Sequence, residues 1–241
     1  MSHFDPLRSD APVIVYIDYK SPYAFVAKDL TYALSEQLGV AFDWRPLTLD
    51  IPSYLGSAKL NKVGKVVEST RSASQWSGVK YAYADARRYA AQQGYALRGT
   101  EKIWDTRVAH IGMLWAKAQS EETLRRYTDA IYPPFWVRQL DLEDPQTIIQ
   151  LLQGSGATTE GFEQYANGIG GAEHDQMQQA IFDCGIFGVP TYVHTASQQW
   201  FFGRQHLPTI QWLVEAQLGY PPRPAPDVGY PLASGKIEVD S

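Results

Sequence analysis

The sequence predicts an α/β fold whose sheet is assembled from the two ends of the chain, with a helical block between them. Three observations predict it. A β-branched run, VIVYI from Val13 to Ile17, leads into helical periodicity and a second strand pattern; helical patterns then follow one another through the middle; after Gly185 the apolar residues return to period two before a last helix. With 241 residues the chain can form one large domain or two small ones around a buried core.

VIVYI is bounded by Pro12 and Asp18, as a buried strand should be. From Pro22 to Gln37 a helix is predicted, because Phe25, Val26, Leu30, Ala33, Leu34 and Leu38 recur at helical spacing and Gly39 can end it. Ser21 and Pro22 suit its N-cap and first position. VAFDWRPL, Val40 to Leu47, alternates like a strand until Pro46. Helical patterns then run from about Lys62 to Cys184. Within Thr100 to Gln119, Trp104, Val108, Ile111 and Trp115 fall on one face. Asp144 before Pro145 predicts a helix through Leu152, Thr159 begins a weaker one, and GSGATTEGF and NGIGGAE, between Gly154 and Glu173, are predicted as loops. Thr191 to Val193 and Gln199 to Phe202 are predicted strands joined by a hairpin. Leu207 to Leu218 is the closing helix. The tail from residue 221 to 241 carries five prolines between Pro221 and Pro231 and reads as an extended arm.

Composition narrows the function classes. A net charge of −5 gives no electrostatic footprint for nonspecific nucleic-acid binding. No apolar run approaches the ~20 residues of a membrane helix, and no basic segment leads into an apolar one at the N-terminus, so a cytoplasmic protein with small-molecule partners is expected. Cys184 is the single cysteine, which excludes a CxxC couple within the chain. It follows Met177 and Ile181 at helical spacing, as a core residue at a helix end would. His3, His110, His174, His194 and His206 show no metal-ligand spacing, and no metal is expected.

The order β–α–β, helical block, β–β–α is that of a thioredoxin fold split by an insertion: residues 12–50 and 185–220 form the thioredoxin-like part, and 51–184 the insertion. Four stretches sharpen this: DYKSPYAF from Asp18, KYAYADARRYA from Lys80, FGVPTYV from Phe187 and WFFGRQHL from Trp200. Together they resemble the glutathione transferase kappa and 2-hydroxychromene-2-carboxylate isomerase family, a branch of the DsbA-like thioredoxin-fold proteins, from Val13 to about Leu218.

The resemblance implies glutathione as a thiol cosubstrate. Ser21, standing where redox relatives keep a cysteine, would be the catalytic residue, hydrogen-bonding the sulfur and favouring its thiolate at the helix N-terminus. Pro22 and Tyr23 would border the thiol, Pro190 would be cis, Val189 would offer its backbone to the cysteinyl part, and Gln205 would lie at the γ-glutamyl end. Tyr81, Asp85 and Arg88, at spacings of four and three on one helix face, match a pattern of the family; a plain solvated ion pair is the alternative for Asp85 and Arg88. The family's lysine in this helix falls where the chain has Gly78, with Lys80 close by. Trp76, Trp104, Trp115 and Trp136 would wall an acceptor pocket, and a homodimer is expected.

The chain departs from the family at two places. Gln205-His206 stands where an Asp-Arg pair binds the γ-glutamyl end, and Gln178-Gln179 where threonine with asparagine or aspartate is usual. A carboxylate there would contribute ~1.5–3 kcal/mol through a charge-assisted bond, and a neutral amide about half of that or less. The implied activity is isomerisation of an aromatic-catabolic intermediate, the thiolate adding to a conjugated carbon and leaving after a bond rotation, or conjugation of an electrophile. The alternatives are a noncatalytic thioredoxin-fold binding protein and a disulfide oxidoreductase that would need a reactive Cys184.

Overall fold

In the computed structural model, which describes residues 4–61 and 63–226, the strands of both chain ends meet in one sheet. Strand β1 (Val13–Ile17) pairs in parallel with β2 (Asp43–Pro46) and antiparallel with β5 (Thr191–His194), which pairs antiparallel with β6 (Gln199–Phe202); the order is β2-β1-β5-β6. All five residues of β1 are buried, the physical reason for its unbroken apolar run rather than an alternating one. The second strand is shorter than predicted and starts at Asp43, whose carboxylate is tied to Arg45, Ser9 and Lys117.

Helix α1 (Pro22–Leu38) begins and ends as its sequence dictates. Ser21 accepts the Ala24 N–H at 3.2 Å, Pro22 occupies the first turn, and Gly39 closes the helix with φ +66°. Its buried Lys28 meets Asp29 and Asp129, tying α1 to α5 (Glu121–Trp136). Phe25 stacks on Tyr132 and Trp136 of that helix at 5.4 and 6.1 Å between ring centres.

The middle of the chain is not wholly helical. After a short α2 (Ile51–Leu55), residues Ala58–Leu60 (β3) and Val66–Ser69 (β4) form an antiparallel hairpin; its strands are largely exposed, so neither shows the pattern of a half-buried strand. Helices α3 (Ala73–Gln92), α4 (Arg107–Gln119), α5, α6 (Pro145–Gly154), α7 (Phe162–Asn167) and α8 (Ile169–Asp183) follow. Helix α4 starts seven residues later than Thr100, leaving Trp104 outside it. The expected loop at NGIGGAE is instead the start of α8, where Gly170 lets the backbone approach the Tyr165 ring: a Cβ there would lie 2.2 Å from a ring carbon. After β6 a 3-10 turn (Arg204–His206) leads into α9 (Leu207–Gln217), which packs on α1 and β5. Arg223 returns to α9 through Glu215 and the Trp212 indole, while the expected arm lies outside the described residues from residue 227 onward.

The helical part closes around Gly112 in α4. A Cβ at this position would sit 2.3 Å from the Tyr127 hydroxyl and 2.9 Å from Ile148 Cγ2, so α4 meets α5 and α6 at backbone distance. Gly112→Ala is expected to destabilise the protein by about 1–3 kcal/mol; urea unfolding at neutral pH measures it, and an unchanged midpoint would show that the three helices separate freely.

Candidate functional site

Adjacent antiparallel strands bring two distant segments to one edge. Tyr16 of β1 is in register with Thr191 of β5, so Ser21, just past β1, meets Val189, just before β5. The Ser21 hydroxyl donates to the Val189 carbonyl at 3.4 Å while accepting the Ala24 N–H, and the Val189–Pro190 peptide is cis. Ser21 is therefore a helix cap and a contact to the cis-peptide segment at once. The long bond to Val189 leaves its hydrogen easily redirected.

Beside Ser21 opens a cavity of about 560 Å³ bordered by Lys20, Pro22, Val79, Tyr83, Trp76 and Trp104. Lys20, Arg71, Lys80, Arg87 and Lys102 all contribute to its wall, which contains no carboxylate among the described residues. Three of these cations lie over its aromatic rings: Lys102 over Trp104 at 4.4 Å, Arg71 over Trp76 at 5.0 Å and Arg87 over Tyr83 at 5.7 Å. Lys20 and Lys102 are already paired with Asp18 and Glu143, so it is Arg71, Lys80 and Arg87 beside the apolar wall that suit it to a flat, anionic ligand. Two tryptophans expected here lie elsewhere: Trp136 is fully buried against Phe25, and Trp115 packs on Phe162 and Tyr165.

The other expected site residues divide. Tyr23 donates to Asp85 at 3.2 Å, and Asp85 accepts Arg88 at 2.8 Å, with Arg88 over the Tyr81 ring. Burial, then Asp85, pushes the Tyr23 phenol up to about 12. These four form a cluster between α1 and α3, but Tyr81, Asp85 and Arg88 are not part of the cavity wall, which takes Lys80, Tyr83 and Arg87 from the same helix. Gln205 sits in the exposed turn beside α1, its amide donating to the Phe202 carbonyl at 3.3 Å. Gln178 is committed to backbone: it accepts the Thr48 N–H at 2.7 Å and donates to the Pro46 carbonyl, whereas Gln179 bonds Asp183. Cys184 closes α8 with its thiol directed to the Ile181 carbonyl, and burial raises its pKa.

Sequence reasoning missed the polar group beneath the cavity. Asp18 is completely buried and accepts the Leu49 and Lys20 N–H groups, the Thr106 hydroxyl at 2.7 Å and the Lys20 ammonium at 3.1 Å. Burial alone would raise its pKa; Lys20, Leu49 and Thr106 outweigh that and hold it below the usual carboxylate range. His110, also fully buried, lies 3.5 Å from Asp18, and its Nδ1 is 2.5 Å from the Thr48 hydroxyl, which in turn is 2.9 Å from His174 Nε2. The one local signal was a charged Asp18 ending an otherwise apolar strand; the 64-residue separation of His110 from His174 concealed the rest.

The family profile of the DSBA-like thioredoxin domain matches residues 12–215. The chain belongs to this family. No curated protein matches this DSBA-like chain. Among solved structures it is similar to a 2-hydroxychromene-2-carboxylate isomerase, with 19% identity, TM-score 0.60, and 86% of this chain and 94% of that one covered. A candidate DsbA oxidoreductase from Streptomyces coelicolor has 19% identity and TM-score 0.63, covering 88% and 91%. A candidate protein disulfide isomerase from Nitrosomonas europaea has 13% identity and TM-score 0.63, covering 88% and 98%. These likenesses place the DSBA-like chain in a shared fold.

Burial, and then the neighbouring His174 and Lys20, lower the His110 pKa to about 3, despite the opposing pull of Asp18. The unfolded chain then binds a proton on this histidine at higher pH than the native one, so stability falls as pH drops from about 6.5 towards 3. Unfolding free energy measured across this window should fall by a few kcal/mol, on the order of the shift of one buried histidine. His110→Asn, which keeps a polar group near Thr48, should flatten the slope; an equal slope in both proteins would place the proton uptake elsewhere.

Proposed function

We propose that this DSBA-like protein binds a glutathione-type thiol at Ser21 and uses it on an apolar, anionic electrophile held in the neighbouring cavity, as an isomerase or a transferase. The observation that carries the reading is the Ser21 hydroxyl: it stands at the N-terminus of α1, weakly engaged with Val189, between Lys20 and Pro22, which both border a cavity rich in cations.

The chemistry follows from those groups. A thiol sulfur in front of α1 meets the positive end of the helix dipole, and the Ser21 hydrogen turns from Val189 to the developing thiolate. Ser21 keeps its lone pair on the Ala24 N–H, so the helix cap survives the switch. The thiolate adds to a conjugated carbon, and the displaced electron pair moves to a carbonyl oxygen, where the Lys20 ammonium is available to neutralise it. Bond rotation followed by expulsion of the thiolate gives isomerisation; retention of the carbon–sulfur bond gives conjugation.

A second reading, a thioredoxin-fold binding protein without thiol chemistry, is favoured by one observation: Gln178 is tied to Thr48 and Pro46, and Gln205 offers no charge to a γ-glutamyl group. A disulfide oxidoreductase finds little support, since the single thiol, Cys184, is drawn back to its own helix and made less acidic by burial.

Calorimetric titration with glutathione tests the main reading. Wild-type protein should bind in the micromolar to low-millimolar range, and Ser21→Ala should bind roughly tenfold or more weakly, the worth of a hydrogen bond to a charged sulfur. Absence of heat with millimolar glutathione would favour the binding protein; equal affinity in both would remove Ser21 from the thiol site.

A further inference from the structure

We propose that Asp175, His174, Thr48, His110, Asp18 and Thr106 form a proton relay from solvent to Lys20 in the cavity wall. The groups come from α8, the link after β2, α4, the end of β1 and the residue preceding α4. Asp175 has a side chain 60% exposed and is gripped by Arg107 through two bonds of 2.9 and 3.0 Å. It lies 3.0 Å from His174 Nδ1, and the chain continues through Thr48 to His110 and on to Asp18 Oδ1. Oδ1 also accepts the Thr106 hydroxyl, whose oxygen accepts Lys20 Nζ at 3.1 Å. With Asp18 and Thr106 each taking one ammonium hydrogen, Lys20 has a third for the cavity.

The relay holds one proton fewer than it has links. Four links join Asp175 to Asp18 through the two imidazoles and Thr48, and neutral imidazoles plus one hydroxyl supply three protons, so one link is always empty. Both histidines are held neutral at pH 7, His174 because burial lowers its pKa against the pull of Asp175 and His110 more strongly. The short contact of Asp175 with His174 Nδ1 requires a hydrogen there. His174 Nε2 then accepts from Thr48, Thr48 accepts His110 Nδ1–H, and His110 Nε2 is left bare. That nitrogen is one of three buried side-chain atoms without a hydrogen-bond partner among the described residues, with Gln93 Oε1 and Trp136 Nε1. A proton arriving at Asp18 from Thr106 fills this empty link, each of the others moves one step outward, and one leaves from Asp175 to water. The reverse sequence returns it. One proton enters for each that leaves, and no charge accumulates.

His110 faces Asp18, Lys20, His174 and the Tyr19 ring at 5.3 Å; His174 faces Asp175, Arg107 and Asp105. Gln178 fixes the central link by holding the Thr48 N–H. The catalytic use of the relay, taking up the thiol proton and returning it on release, rests on the function proposed above; its existence does not.

Nitrogen-15 NMR of histidine-labelled, ligand-free protein at pH 7 tests it. Both rings should carry hydrogen on Nδ1, with His110 Nε2 bare, and the His110 ring N–H should exchange with water rapidly for a fully buried group. Thr48→Val, which removes the hydroxyl, should slow that exchange by about tenfold or more. Should Thr48→Val not fold, His174→Ala cuts the same route, and added imidazole should restore exchange. Hydrogen on His110 Nε2, exchange indifferent to the cut, or failure of imidazole to restore it would overturn the relay. Glutathione binding measured on the same samples separates failure of the relay from failure of the thiol reading.

Discussion

A carboxylate sealed from water at the end of β1 sets the terms for the whole molecule. Asp18 remains ionised only if every donor around it is in place, because an isolated buried charge costs far more than any single bond returns. Those donors arrive from three places: Lys20 beside it, Leu49 after β2 and Thr106 at the threshold of α4. The sheet and the inserted helices are therefore fastened at one atom group. Losing a partner of such a pair typically costs 3–5 kcal/mol, so neither part can drift independently of the other.

The same carboxylate residue positions the edge that carries Ser21. The Ser21 N–H bonds the Asp18 carbonyl at 3.0 Å, and the Tyr132 hydroxyl reaches that carbonyl from α5. The turn that launches α1 is thus braced from both the backbone and the helical insertion. Pairing of β1 with β5 then delivers Val189 opposite Ser21. Geometry at the serine thus follows from the Asp18 carbonyl and the β1–β5 pairing, and the wall of the neighbouring cavity carries cations and, among the described residues, no acid.

What could be read from the residues alone was whatever lay close in sequence. The four strands of the main sheet, the capped and terminated α1, the Asp144–Pro145 helix start and the closing β–β–α unit all announce themselves within a few positions. Ser21 and Val189 were recognisable through motifs around them, although their meeting depends on strand register. The β3–β4 hairpin escaped notice because exposed residues such as Val66 and Val67 obey no burial pattern. The tryptophans misled for the opposite reason: helical spacing marks an apolar side chain without saying whether it faces core, as Trp136 does, or cavity, as Trp104 does. The chain linking His110 to His174 rests on tertiary packing alone.

The cavity wall and the serine edge belong to different stretches of polypeptide. Apart from Lys20 and Pro22, every residue bordering the cavity lies between Ile51 and Trp104, whereas Ser21 and Val189 are held by strands from outside that stretch. Substitutions within 51–104 can reshape the cavity without touching the sheet or the turn that presents the hydroxyl. The architecture thus separates the stretch that shapes the chamber from the strands that hold Ser21 and Val189, so the two can change independently of each other.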